Sequence, residues 1–138
     1  MIDITENVIP IGKYHKELCL LDCGGIVAFE GRIRNHNDGK EVKDLSYECY
    51  KPMGLKVLDE IVQEAYKKWD IKKSFAIHRI GNIPLGEIAV WVGVASHHRK
   101  EAFEVCRFII DEIKQKVPIW KYETYTDGSK SWIEGCKH

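Results

Sequence analysis

The sequence predicts an α+β protein in which two main helices pack on a mostly antiparallel sheet. Three observations carry that expectation. Two segments repeat apolar residues at spacings of three and four, the mark of amphipathic helices. Around them lie short runs rich in β-branched and aromatic residues, giving the order β-β-α-β-β-α-β-β. An Asp127-Gly128 bend near the C-terminus joins the last two runs as a hairpin.

The first strand is "GGIVAFEGRIRN", Gly24 to Asn35, after a Gly-Gly start. "HNDGKE" follows as a polar turn, and "NHNDGKEVKD" as a whole is expected to be mobile. "VKDLSYECY" alternates Leu45, Tyr47 and Cys49 with Ser46, Glu48 and Tyr50, a second strand. Pro52 sits where a helix can begin, and Leu55, Leu58, Val62, Ala65 and Trp69 mark its apolar stripe. "SFAIHRIG" is a short strand, "GNIPLGE" a turn, and "EIAVWVGVAS" a strong strand with Ile88, Val90, Val92 and Val94 on one face. Ser96 then reads as the cap of the second helix, whose buried stripe is Ala102, Cys106, Ile109, Ile113 and Val117. Pro118 ends it, having no N–H to donate. "IWKYETYT" and "SWIEG" flank the hairpin bend "DGSK".

No repeat or linker interrupts the 138 residues, so residues 1–138 form one domain. Lys+Arg (21) and Asp+Glu (21) cancel, which argues against general affinity for nucleic acid or acidic membranes. The N-terminal stretch has acids and no apolar core of the signal-peptide type, and no apolar run approaches a bilayer span, so a cytoplasmic location is expected. Five cysteines (19, 23, 49, 106 and 136) match no zinc spacing and are expected to be reduced and structural. His15, His36, His78 and His138 show no ligand spacing either; His78 reads as a hydrogen-bonded structural histidine.

The anomaly is the first turn of the second helix, which carries His97, His98, Arg99 and Lys100 at an end that normally favours acids. On a helical wheel His98 and Arg99 lie roughly 60° and 40° from the buried stripe, whereas His97 and Lys100 point to solvent. Arg99 is then either half of a buried ion pair or, with His98 and the free N–H groups, part of an anion site suited to phosphate. Lys114 at the stripe's edge and Lys121 beyond Pro118 are unremarkable alone, the one complementing a helix C-terminus and the other facing water from a strand. Arg32 and Arg34 add positive charge at the end of the first strand. Arg99 and Lys114 stand fifteen residues apart on one helix, about 22 Å by its rise. If both serve one pocket, two copies must build it, and a twofold dimer would make two such pockets.

Several segments together resemble the large, catalytic subunit of molybdopterin synthase, the MoaE family. They are "GGIVAFEGRIRNHNDGKEVKDLSYECY", "KPMGLKVLDEI", "IHRIGNIPLGE", "VGVASHHRKEAFE" and "IDEIKQKVPIWKYE", with a later Trp132. The resemblance implies an α/β hammerhead-like fold with an additional antiparallel β subdomain, a homodimer, and a heterotetramer with two small ubiquitin-like sulfur-carrier subunits (MoaD-like). The carrier's C-terminal Gly-Gly thiocarboxylate would donate two sulfurs to cyclic pyranopterin monophosphate (precursor Z), making the dithiolene of molybdopterin in molybdenum cofactor biosynthesis. This sulfurtransferase chemistry implies no cofactor and no metal.

Carried across by position, the resemblance makes Lys114 and Lys121 catalytic, with Lys114 beside the carrier's terminal carbonyl and Lys121 as acid or base on the pterin. Arg34, His98 and Arg99 would hold the phosphate, the last two from across the dimer; Arg32, Ile33, Tyr122 and Glu123 would line the same segments, and Phe29 would wall the pocket. The chain departs from its relatives at His97, where a small residue is usual, and after Trp132, where Lys137 would have to replace an Arg of some relatives. Two other readings compete: a non-catalytic phosphate-binding module, which would not need the lysines, and a hydrolase using Cys49 or Cys106 as nucleophile.

Overall fold

A computed structural model describes residues 1–134. In chain order its elements are β1 (Ile2–Thr5), α1 (Ile11–Leu18), β2 (Gly25–Arg32), β3 (His36–Asn37), β4 (Lys40–Cys49), α2 (Lys51–Lys68), β5 (Lys73–Arg79), β6 (Gly81–Asn82), β7 (Ile88–Ser96), α3 (Arg99–Lys116), β8 (Ile119–Tyr125) and β9 (Lys130–Glu134). The α+β class and both long helices agree with the sequence reading. Two elements ahead of β2 are additional.

Strand β1 has four residues, and its place is set by parallel pairing with β5 far along the chain. Helix α1 follows Pro10 and buries only Tyr14 and Leu18, one i,i+4 pair. Ile11, Tyr14 and Leu18 do follow the helical spacing i, i+3, i+7, but eight residues are too few to hold a helix alone, so tertiary packing holds it. Tyr14 stacks on Phe75 at 4.8 Å between ring centroids.

Strands β1-β5-β7-β2 form the first sheet, antiparallel except for β1 against β5. Its inner strand β7 is buried on both sides, and of the expected face Ile88, Val90, Val92 and Val94, Ile88 instead packs with the α1 cluster. Trp91 and Ala95 meet α1, while Val90, Val92 and Val94 join the larger core under α2 and α3. All five expected stripe positions of α3 are buried, with Val105 and Ile110 beside them. Each Ile or Val side chain among them contributes about 1.5–3 kcal/mol when fully withdrawn from water. In α2, Leu58, Val62 and Ala65 are buried as expected, and the helix stops one residue before Trp69.

The second sheet runs β3-β4-β8-β9, with β6 pairing β4. The polar stretch at 35–41 is a tight hairpin rather than an open turn: β3 and β4 pair around Asp38 and Gly39, both at positive φ (49° and 77°). Such a two-residue bend matches the twist of paired strands. The Asp127-Gly128 bend joins β8 to β9 as expected.

Candidate active site

Pro118 turns the chain from α3 straight into β8. Lys114, in the last turn of α3, and Lys121, third in β8, therefore line one pocket despite lying on different elements. Arg32, Ile33 and Arg34 enter from the end of β2, Asn37 from β3, Glu123 from β8, and His78 from β5. Tyr47 of β4 completes the floor, its ring edge-on to His78 at 5.0 Å.

Strand alternation decides which β8 residues reach this space. Lys121, Glu123 and Tyr125 point inward and are buried, whereas Tyr122 faces the other side and packs on Trp132 at 4.6 Å. Tyr122, expected among the lining segments, is therefore outside the pocket. Lys121 is 3 % exposed and ion-paired with Glu123, 1 % exposed, at 3.0 Å. Asn37 donates from Nδ2 to the same Glu123 oxygen at 2.9 Å. A phenol next to this carboxylate responds to it: Tyr125 is pushed above its ordinary range, by burial first and by Glu123 second. The sequence reading gave Glu123 only as a lining residue; folding makes it the counter-ion of Lys121.

His78 is 2 % exposed, and its Nδ1 lies 2.7 Å from the Arg79 carbonyl. A carbonyl only accepts, so Nδ1 carries the proton and donates. Burial foremost, and Lys114 as a lesser cause, pull the ring's pKa down to about 4. The expected hydrogen-bonded structural histidine is thus found, but in the wall of the pocket. Asn37, Tyr47 and His78 were not in the predicted site; the only signals in sequence were their segments "RNHN", "LSYE" and "IHRIG".

Arg32 lines the pocket rim, but its guanidinium is occupied by Glu30 and by the Gly86 carbonyl at 2.8 Å. Phe29 is not in the pocket. It lines a neighbouring open groove between β2 and α3, with Phe103, Cys106 and Lys114. Lys114 stands between the two spaces.

The opposite end of α3 departs from the wheel argument. Ser96 is the last residue of β7, not a helix cap, and its hydroxyl donates to the His98 carbonyl. His98 is the cap position, with extended backbone and no side-chain cap bond. His98 and Arg99 are therefore exposed like His97 and Lys100, instead of turning toward the body. A helical wheel does not apply to His98, which precedes the helix; Arg99 is the first helical residue and is exposed nonetheless. His97 leans on Asp22 at 3.4 Å. The Gly-Gly start of β2 explains how this end is seated: a Cβ on Gly25 would lie 2.9 Å from Arg99 Cα, and one on Gly24 2.9 Å from the His97 carbonyl. Only glycine lets the strand approach the helix entry so closely.

The thiols give little support to a cysteine nucleophile. Cys106 is buried, with its pKa pushed up to about 11 by burial, and burial also raises Cys49. A nucleophilic cysteine needs the opposite shift. Cys19, Cys23, Cys49 and Cys106 are free thiols; Cys136 and Lys137 lie outside the described residues. No helix among the described residues is long and apolar enough to cross a membrane.

Residues 4–116 match the family model described as MoaE protein. The chain belongs to the MoaE family. Curated relatives carry the name molybdopterin synthase catalytic subunit. The one from Thermoplasma volcanium is 47 % identical over 131 residues, covering 95 % of this chain and 96 % of the relative. The one from Dictyostelium discoideum is 40 % identical over 139 residues, covering 99 % and 88 %. Molybdopterin synthase from Staphylococcus aureus superposes with a TM-score of 0.88 at 35 % identity, covering 94 % of both chains. A chain from the complex of subunits 1 and 2 of molybdopterin-converting factor of Helicobacter pylori shares the fold at 20 % identity, with a TM-score of 0.77, covering 99 % of this chain and 91 % of that one. MoaE proteins are thus the frame for the pocket: Lys114 falls within the matched residues and Lys121 just beyond them.

Proposed function

We propose that the chain is the sulfur-transferring catalytic subunit of a molybdopterin synthase and that its pocket works on cyclic pyranopterin monophosphate. The observation that carries this reading is the meeting of Lys114, Lys121 and Arg34 in one pocket of a chain whose net charge is zero. Both reactants are anions, the substrate through its phosphate and the small carrier subunit through its C-terminal thiocarboxylate. Bringing them together needs local positive charge, and a patch on a neutral protein provides it without general attraction to polyanions.

Lys114, between pocket and groove, stabilises the oxyanion formed at the carrier's terminal carbonyl as the acyl–sulfur bond breaks. Lys121, held by Glu123, supplies or takes the proton on the pterin as sulfur adds and oxygen leaves. Arg34 holds the phosphate at the pocket mouth. His98 and Arg99 are about 22 Å up α3 from Lys114, so they complete the phosphate site only from a second copy. The working assembly is therefore a homodimer carrying two carriers, a heterotetramer. The sulfur arrives already activated, and the reading calls for no metal or redox cofactor.

Mixed dimers test both the chemistry and the shared site. Arg99→Ala and Lys114→Ala homodimers are each expected to make little dithiolene product from thiocarboxylated carrier and the cyclic pterin, measured by mass spectrometry. Co-expressed, they form heterodimers with one intact site each, restoring about a quarter of wild-type activity. A mixture no more active than its parents places both residues in one protomer's site and overturns the shared pocket. Full sulfur transfer by Lys114→Ala overturns the catalytic reading.

A further inference from the structure

Lys121 is not held by Glu123 alone. Glu123 Oε1 receives two donors, the Lys121 ammonium at 3.0 Å and Asn37 Nδ2 at 2.9 Å, and all three side chains are buried. Asn37 comes from β3, one arm of the tight hairpin at 35–41, whereas Lys121 and Glu123 are two apart on the inward face of β8. A carboxylate has freedom about its terminal torsion, which is broad and roughly two-fold. A second donor from a different strand removes that freedom and so fixes where the ammonium stands. We infer that Asn37 is a positioning residue: through Glu123 it sets the location of the Lys121 ammonium, and it makes the β3–β4 hairpin part of the catalytic apparatus. The inference rests on the role proposed above for Lys121.

Two substitutions separate positioning from bulk. Asn37→Ala deletes the donor. Asn37→Asp keeps the shape but sets a second carboxylate against Glu123, which is destabilising while both are ionised. When one of the two takes up a proton, the shared O–H restores a hydrogen bond in the place of the amide. The other charged or ionisable groups in this pocket include Lys121 itself, Lys114 from α3, His78 from β5, Tyr47 from β4 and Arg32 at the rim. Arg34 precedes the hairpin and His36 lies in β3, both lining the pocket, and Tyr125 of β8 lies beside Glu123. All are common to wild type and variant, so the ratio of the two profiles reports the introduced carboxyl.

The experiment uses the full chain with its thiocarboxylated carrier and the cyclic pterin, from pH 5 to pH 8. Asn37→Ala is expected to lower kcat about tenfold with KM within twofold, the loss of one hydrogen bond to a charged group. Asn37→Asp is expected to be the worse variant at pH 8 and to approach wild type as the pH falls. A readout independent of turnover is the side-chain ammonium resonance of Lys121 in 15N-labelled protein, assigned by its loss in Lys121→Arg. It is expected to shift or broaden in Asn37→Ala. An unmoved resonance, a kcat within twofold of wild type, or a loss in Asn37→Asp that is the same at every pH overturns the inference. If wild type itself makes no dithiolene, the proposed function fails, and the ammonium spectrum still decides whether Asn37 positions Lys121.

Discussion

Helix α3 has two cationic ends that differ in every physical respect. At its C-terminal end, Lys114 is half-buried beside a buried ion pair and a neutral, buried imidazole. At its N-terminal end, His98 and Arg99 stand in water at the entry to the helix. The C-terminal end is an enclosed pocket, where Glu123 and Asn37 fix the position of Lys121. The N-terminal end is a cationic surface whose role depends on what is brought to it. Cationic side chains are thus placed in different settings according to whether the fold closes over them.

The largest expected effect lies at the closed end. Lys114→Ala and Lys121→Ala should each lower kcat by at least about a hundredfold, since charge stabilisation and proton transfer contribute on that scale. Losses below tenfold, measured in single-turnover dithiolene formation, would make the two ends equivalent. Next comes His78. Its folded pKa is about 4 against an ordinary 6.5, so the unfolded chain takes up the proton first. The stability is whole above about pH 6.5 and is lost as the pH falls toward 4, by about 2 kcal/mol between pH 7 and pH 5. Urea unfolding should show that loss in wild type. His78→Asn, which keeps a donor near the Arg79 carbonyl but cannot titrate, should show correspondingly less.

At the open end the effects are smaller. Gly25→Ala forces a Cβ into the backbone of Arg99 and should cost about 1–3 kcal/mol in thermal or urea unfolding, the scale of overpacking. A variant as stable as wild type would mean that the first turn of α3 yields without resistance. The mildest change is His98→Ala, expected to raise KM for the phosphate-bearing substrate about tenfold with kcat little changed, because it removes binding shared by ground and transition states. A fall in kcat at constant KM would move His98 into the chemistry.

Much of this architecture was legible in the chain because local patterns caused it. The stripe from Ala102 to Val117 is an i,i+4 repeat that burial then used unchanged, and Pro118 and the Asp127-Gly128 bend act through their own backbones. Lys114 and Lys121 stood out only through the family resemblance, and Lys121, expected to face water from its strand, is buried on Glu123. Less legible were β1 and α1: β1 is placed by pairing with β5, and the Ile11, Tyr14, Leu18 spacing of α1 is too short a pattern to stand out without its packing on Phe75. The reading of His98 failed because one residue separates a cap from a helix, and the wheel has no meaning outside the helix.

The sequence by itself determined the α+β class, the two long helices and the supply of cations on a neutral chain, since periodicity and composition are properties of neighbouring residues. Only the tertiary structure decided that Glu123 and Asn37, 86 positions apart, would share one hydrogen bond and that His78 would be neutral in the wall of the pocket. Those outcomes depend on strand register and on exclusion of water, and neither is written in any short stretch of residues.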